Sequence, residues 1–133
     1  MDGRRLRTIS DQLAPVRISP AHVTQFVDEQ VSRLEGDARQ RQTAFYTGLE
    51  YPETFPAYAG LLVDSEDNVW VKEYALPGAT REVWRVYSSD GARLSIIPMP
   101  PRFRVLEVAG GTVLGVWKDE FDVEYVRVYT LRK

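Results

Sequence analysis

The sequence predicts a mainly β fold: antiparallel strands preceded by one amphipathic α-helix. Two observations carry this. From about residue 57 the apolar residues alternate with a two-residue period, in runs dense in Val, Ile, Tyr and Trp, as half-buried strands require. Before that point, one stretch spaces its apolar residues as the face of a helix does.

Taken in order, residues 1–18 read as an N-terminal strand, "RRLRTIS", and a linker, "QLAPVRIS". Residues 19–48 read as the amphipathic helix. Ser19 suits the N-cap, where its hydroxyl accepts an otherwise unpaired N–H, and Pro20 suits the first helical position, where a missing N–H costs nothing. Val23, Phe26, Val27, Val31 and Leu34 form the apolar stripe; Asp28, Glu29, Arg33 and Glu35 lie opposite. Gly36 either ends or weakens the helix, and "DARQRQTAFYTGL" can continue it to about Tyr46, with a stop at Gly48. "EYPETFPAY" is a rigid connector. Strands are then expected at 57–64, 68–74, 82–88, 92–98, 103–109, 112–118 and 123–131. The breaks "SEDN", "LPGAT", "SSDG", "PMPPR", "AGG" and "DEFD" carry turn chemistry, and tight links imply an up-and-down antiparallel order.

Composition narrows the function classes. With 133 residues, 44% apolar and 27% charged, the chain suits one folded domain with a modest core. A net charge of -2 disfavours a general nucleic-acid binder, which needs a basic face. The absence of cysteine removes disulfides, thiolate metal sites and a cysteine nucleophile. No apolar run approaches the roughly 18 residues of a membrane span. "MDGRRLRTIS" is basic without the apolar segment of a secretory signal, and the compartment stays open.

An internal repeat organises the strands. "WRVYSS" at 84–89 matches "VRVYTL" at 126–131, pairing Arg85, Val86 and Tyr87 with Arg127, Val128 and Tyr129. The spacing of about 42 residues suits a propeller blade of four strands. Residues 57–98 make a four-stranded blade and 103–133 a three-stranded one. The strand missing from the second has a counterpart at the other end of the chain. There "DGRRLRTI", residues 2–9, matches "DGARLSII", with Asp2, Gly3, Leu6 and Ile9 in register with Asp90, Gly91, Leu94 and Ile97.

The stretches "LLVDSEDNVWVKEY", "VWRVYSSDGARL" and "RVLEVAGGTVLGVWKDEFDVEYVRVYTLR" resemble the six-bladed β-propeller superfamily in its NHL-like sense, and in particular the last two blades of bacterial propeller proteins of unassigned function. One departure is Asp67, where such turns usually carry Gly before Asn. The resemblance implies about two antiparallel β-propeller blades. Six blades need roughly 240 residues, so it further implies a homo-oligomer, a trimer of two-blade chains. Isolated blades would leave open edges and an uncovered face. The alternative is a two-blade monomer or dimer with the helix covering one face. The function implied is a non-enzymatic binding or scaffold module, working as an oligomer or within a larger propeller, its protein or small-molecule ligand unnamed. Two alternatives stand beside it. One is a metal-dependent, lactonase-like hydrolase with its site at the channel end, although no ligand set carries over to this sequence. The other is a truncated propeller fragment without a role of its own.

Several motifs invite chemistry. Asp64, Glu66 and Asn68 in "VDSEDNVWVKEY" are spaced like the start of a calcium loop. Such a loop needs Gly at its sixth position and a bidentate Glu at its twelfth; here these are Val69 and Ala75. A strand turn capped by Asp64 is the better expectation. Asp119, Glu120, Asp122 and Glu124 cluster in "KDEFDVE", where a cation site competes with a solvated turn. Because propeller ligands gather at one end of the channel, the resemblance nominates Lys72, Glu73, Lys118, Asp119 and Glu120 as ligand-binding residues. Trp70, Trp84 and Trp117 read as packing between sheets. His22 is the sole histidine, which excludes a His-rich metal site and disfavours a Ser-His-Asp triad. "SSDG" and "AGG" begin no helix and are not phosphate loops. Arg4, Arg5 and Arg7 read as edge-strand charges that guard against aggregation. No cofactor and no metal are expected.

Overall fold

The structure is a computed structural model that describes residues 8–11 and 14–132. They form two compact units, one holding the strands (8–11, 58–73 and 81–132) and one holding the helices (14–57 and 74–80).

In the helical unit, the single helix expected over 19–48 is two: α1 (Pro20–Val31) and α2 (Gly36–Thr47). The break is at Glu35–Gly36, where Glu35 is extended and Gly36 turns left-handed at φ 53°, a conformation other residues resist. The start of α1 is as expected. Ser19 Oγ accepts the His22 N–H at 3.3 Å, and His22 Nδ1 accepts the Ser19 N–H at 3.2 Å, a reciprocal capping box in which histidine takes the place of glutamate. The only histidine is thereby engaged in a cap. Val27 and Val31 of the apolar stripe are buried, whereas α2 buries nothing fully. Phe26 meets Tyr46 and Tyr51 edge-on. Among the described residues no helix is long and apolar enough to cross a membrane.

The strand unit holds β1 (Tyr58–Val63), β2 (Val69–Glu73), β3 (Glu82–Tyr87), β4 (Arg93–Met99), β5 (Phe103–Ala109), β6 (Thr112–Lys118) and β7 (Glu124–Thr130). Each of the seven strands expected from residue 57 onward is present within one or two residues. Neighbours pair antiparallel in chain order, giving a four-stranded sheet β1-β2-β3-β4 and a three-stranded sheet β5-β6-β7. The two sheets share one core: Trp70, Trp84, Val86 and Met99 from the first against Phe103, Val108 and Val113 from the second. Trp70 and Trp84 meet edge-on at 6.4 Å, so packing accounts for both. Phe103 is fully buried because its ring lies over Gly115 on β6, where any side chain would collide with it. Residues 2–7, most of the proposed closing strand, lie outside the described residues.

Candidate functional site

Three of the turns share one construction. In each, the first residue donates its N–H to the carbonyl of the fifth: Asp64 to Asn68 at 3.0 Å, Ser88 to Ala92 at 2.9 Å, Asp119 to Val123 at 3.1 Å. The fourth residue is left-handed, with φ 60° at Asp67, 91° at Gly91 and 62° at Asp122. This explains the departure at Asp67: the position favours glycine but tolerates aspartate, whose short polar side chain suits that conformation.

Asp64 is the hub of the first turn. Its Oδ1 accepts the N–H groups of Glu66 and Asn68, each at 2.9 Å, and its Oδ2 accepts Asn68 Nδ2 at 3.0 Å and Trp70 Nε1 at 2.9 Å. Burial pushes the Asp64 pKa up, but these four hydrogen bonds outweigh it and hold the carboxyl below its ordinary value. Every oxygen that the calcium reading required of this residue is spent inside the turn. Asp119 repeats the pattern: its Oδ1 accepts Phe121 and Val123 N–H at 2.9 and 3.0 Å, and its Oδ2 accepts Tyr125 Oη–H at 3.3 Å. Among the described residues, no group of three His, Asp or Glu side chains is placed to hold a metal ion.

The other residues nominated from the sequence take separate places. Strand alternation sends the adjacent Lys72 and Glu73 to opposite faces of their sheet. Lys72 points toward the second sheet and pairs with Glu82 at 2.7 Å; Glu73 points away and pairs with Arg85 Nε at 2.6 Å. The Glu82 and Arg85 atoms are buried, and these contacts balance charge without hydrogen-bond geometry. Lys118 pairs with Glu124 at 3.1 Å. Glu120 is exposed at the β6–β7 turn beside the exposed Phe121.

What is open is apolar. The register of the first sheet recurs in the second. The row Val63–Val69–Tyr87 is repeated as Val108–Val113–Tyr129, and the row Leu62–Trp70–Val86 as Glu107–Leu114–Val128. The repeated rows face in the same rotational sense. Val108 and Val113 point into the shared core, while their counterparts Val63 and Val69 point out of the other side of the first sheet. Val63 is accordingly 61% exposed where Val108 is 4%. The second row mirrors this: Val86 is 4% exposed and Val128 63%. The two sheets thus repeat in register, and Val63 and Val128 present at the two ends what Val108 and Val86 bury in the middle, although Tyr87 of the outward row is itself buried beside Asp11. A strand such as "EYVRVYT", apolar or aromatic on both faces, is the sequence signal for this, since sheets covered on both sides lose strict alternation.

Two more features complete the surface. A cleft of about 830 Å³ opens between Leu94, Ile97 and Met99 of β4 and Val108, Tyr129 and Leu131 of the second sheet. On the far face of the first sheet, Tyr87 Oη donates to Asp11 Oδ2 at 2.6 Å, with Arg85 and Arg93 at 3.8 and 3.9 Å from the same oxygen. Burial and this carboxylate raise the Tyr87 pKa. Nothing in the sequence marked Asp11. Comparison with protein-family models, with characterised proteins and with solved structures finds no match for the chain.

Proposed function

We propose that this chain is a non-enzymatic binding or scaffold module whose two sheets act as β-propeller blades and whose working form is a head-to-tail assembly of copies. The observation that carries the reading is the register repeat. When a repeating unit exposes on its two outer faces the counterparts of its own buried interface, the natural partner of one face is the other face on a second copy. Such heterologous contacts close into rings when the rotation per copy divides the circle. Two blades per chain and six per ring give a trimer.

The engagement of the polar groups supports a non-enzymatic reading. The carboxylates that chemistry would need, Asp64 and Asp119, are hydrogen-bonded within their turns, and Lys72, Glu73 and Lys118 are each ion-paired. The ligand surface of the assembly is the strand end carrying Lys72, Glu73, Lys118, Asp119 and Glu120, where copies would bring their turns together.

Light scattering on the purified chain tests this. A mass near three times 15.2 kDa supports the trimer. A monomer across micromolar concentrations overturns the assembly.

A further inference from the structure

We propose that Asp11 is a charge-neutralising clasp for the interface between copies. Its carboxylate, together with that of Glu73, balances Arg85 and Arg93, so that the outer face of the first sheet can be buried by the second sheet of another copy. This rests on the assembly reading above and adds what such an interface requires electrostatically.

The outer face of the first sheet is apolar apart from one ionic cluster. Trp70, Trp84 and Val86 point into the core, so alternation puts Val69, Val71, Arg85 and Tyr87 on the opposite face. The register sets Leu61 beside Val71, Ile96 beside Arg85 and Arg93 beside Tyr87. Leu61 and Ile96 are exposed. Four charges meet on this face. Arg85 reaches Glu73 at 2.6 Å and Asp11 at 3.8 Å, and Arg93 reaches Asp11 at 3.9 Å. Two guanidinium groups and two carboxylates leave no net charge. Tyr87, itself buried, donates its hydroxyl to the same Asp11 oxygen at 2.6 Å.

The second sheet shows what burial demands at this position. The pair Val71 and Arg85 recurs there as Gly115 and Arg127. Arg127 shares the face of Val113 and Tyr129, which is turned toward the first sheet. Its guanidinium lies 3.6 Å from the centre of the Trp117 ring and donates to Tyr129 Oη at 3.4 Å. An aromatic face partners a cation that has lost water. In the first sheet the residue in the place of Trp117 is Glu73, two after Val71 as Trp117 is two after Gly115. Glu73 and Asp11 therefore supply by charge what Trp117 supplies by its ring. An arginine left in water needs no such partner. One that is covered does, because a buried charge without compensation is strongly destabilising. Both sheets thus carry a solution for a covered arginine, although only one of the two arginines is covered by a sheet within the chain.

Charge compensation between variants tests this. Asp11→Asn keeps the shape of the side chain and an acceptor for Tyr87, but leaves the cluster net positive. It should raise the concentration at which the assembly half-dissociates by about tenfold or more in sedimentation velocity. Arg93→Gln leaves the cluster net negative and should weaken assembly in the same direction. The double variant Asp11→Asn/Arg93→Gln is neutral again, Arg85 against Glu73, and should recover most of the loss. Far-UV circular dichroism confirms that each variant is folded. Arg93, with its side chain 54% exposed, carries the test alone should Asp11→Asn fail to fold. Unchanged assembly in the single variants overturns the clasp and leaves the assembly standing. Two weakened single variants that the double variant does not rescue also overturn it, since Asp11 would then act by shape and not by charge. A parent chain that is monomeric across micromolar concentrations overturns the assembly and the clasp with it.

Discussion

Trp70 donates its indole N–H to Asp64 Oδ2 at 2.9 Å, so the carboxylate that shapes the β1–β2 turn also fixes a buried tryptophan of the core. Turn and core are one unit here: the residue that reads as a metal ligand in sequence is the anchor of a buried tryptophan.

Replacing Asp64 by Ala should therefore cost more than an exposed turn residue would. It removes four hydrogen bonds and leaves the Trp70 N–H without its acceptor. A loss of about 1–3 kcal/mol is expected, read as a lower midpoint in urea. Glu66→Ala, on the exposed side of the same turn, should stay within about 0.5 kcal/mol of the parent.

The same site gives a pH dependence. The folded pKa of Asp64 is below its ordinary value of 3.8. A group depressed on folding stabilises fully above its unfolded pKa, and that contribution disappears as pH falls through the folded value. Melting temperature should hold steady from pH 7 down to about 5 and fall below pH 4. Asp64→Asn should start lower and show a shallower fall over that acid range; an unchanged slope would mean other carboxylates dominate.

Gly115 is a packing requirement rather than a turn. A Cβ there would meet the Phe103 ring and come within 2.5 Å of the Arg104 carbonyl oxygen. Neither is free to retreat, since Phe103 is fully buried and Arg104 belongs to the paired strand β5. Gly115→Ala should destabilise by about 1–3 kcal/mol through overpacking. Gly110→Ala has open space around it and tests only left-handed strain at φ 56°. Chemical denaturation of the two variants separates the effects.

Val126 and Val128 are the counterparts of Trp84 and Val86. Val126 is 74% exposed and Trp84 6%. The double variant Val126→Glu/Val128→Glu should leave far-UV circular dichroism unchanged and abolish assembly, because burying two carboxylates in an apolar interface is strongly unfavourable. Assembly that survives this change would place the interface elsewhere.

Much of the fold was legible before the structure. The seven strands followed from alternation and turn residues, which are local properties. The helical segment was misread as one element because the stripe ending at Leu34 and the stretch after Gly36 look continuous; the break depends on one left-handed residue. The nominated ligand residues were drawn from the equivalent ends of the two repeats, as the propeller resemblance implies. Alternation separates Lys72 from Glu73, and local ion pairs engage Lys72, Glu73 and Lys118. Asp11 was invisible because its meaning comes from Tyr87, far away along the chain.

By itself the sequence determined the strands, their antiparallel order and the repeat, since period and turn chemistry act over a few residues. Only the tertiary structure decided which face of each strand is covered. Facing depends on how whole sheets stack, and stacking showed that Val63 and Val128 stand exposed where their repeats are buried.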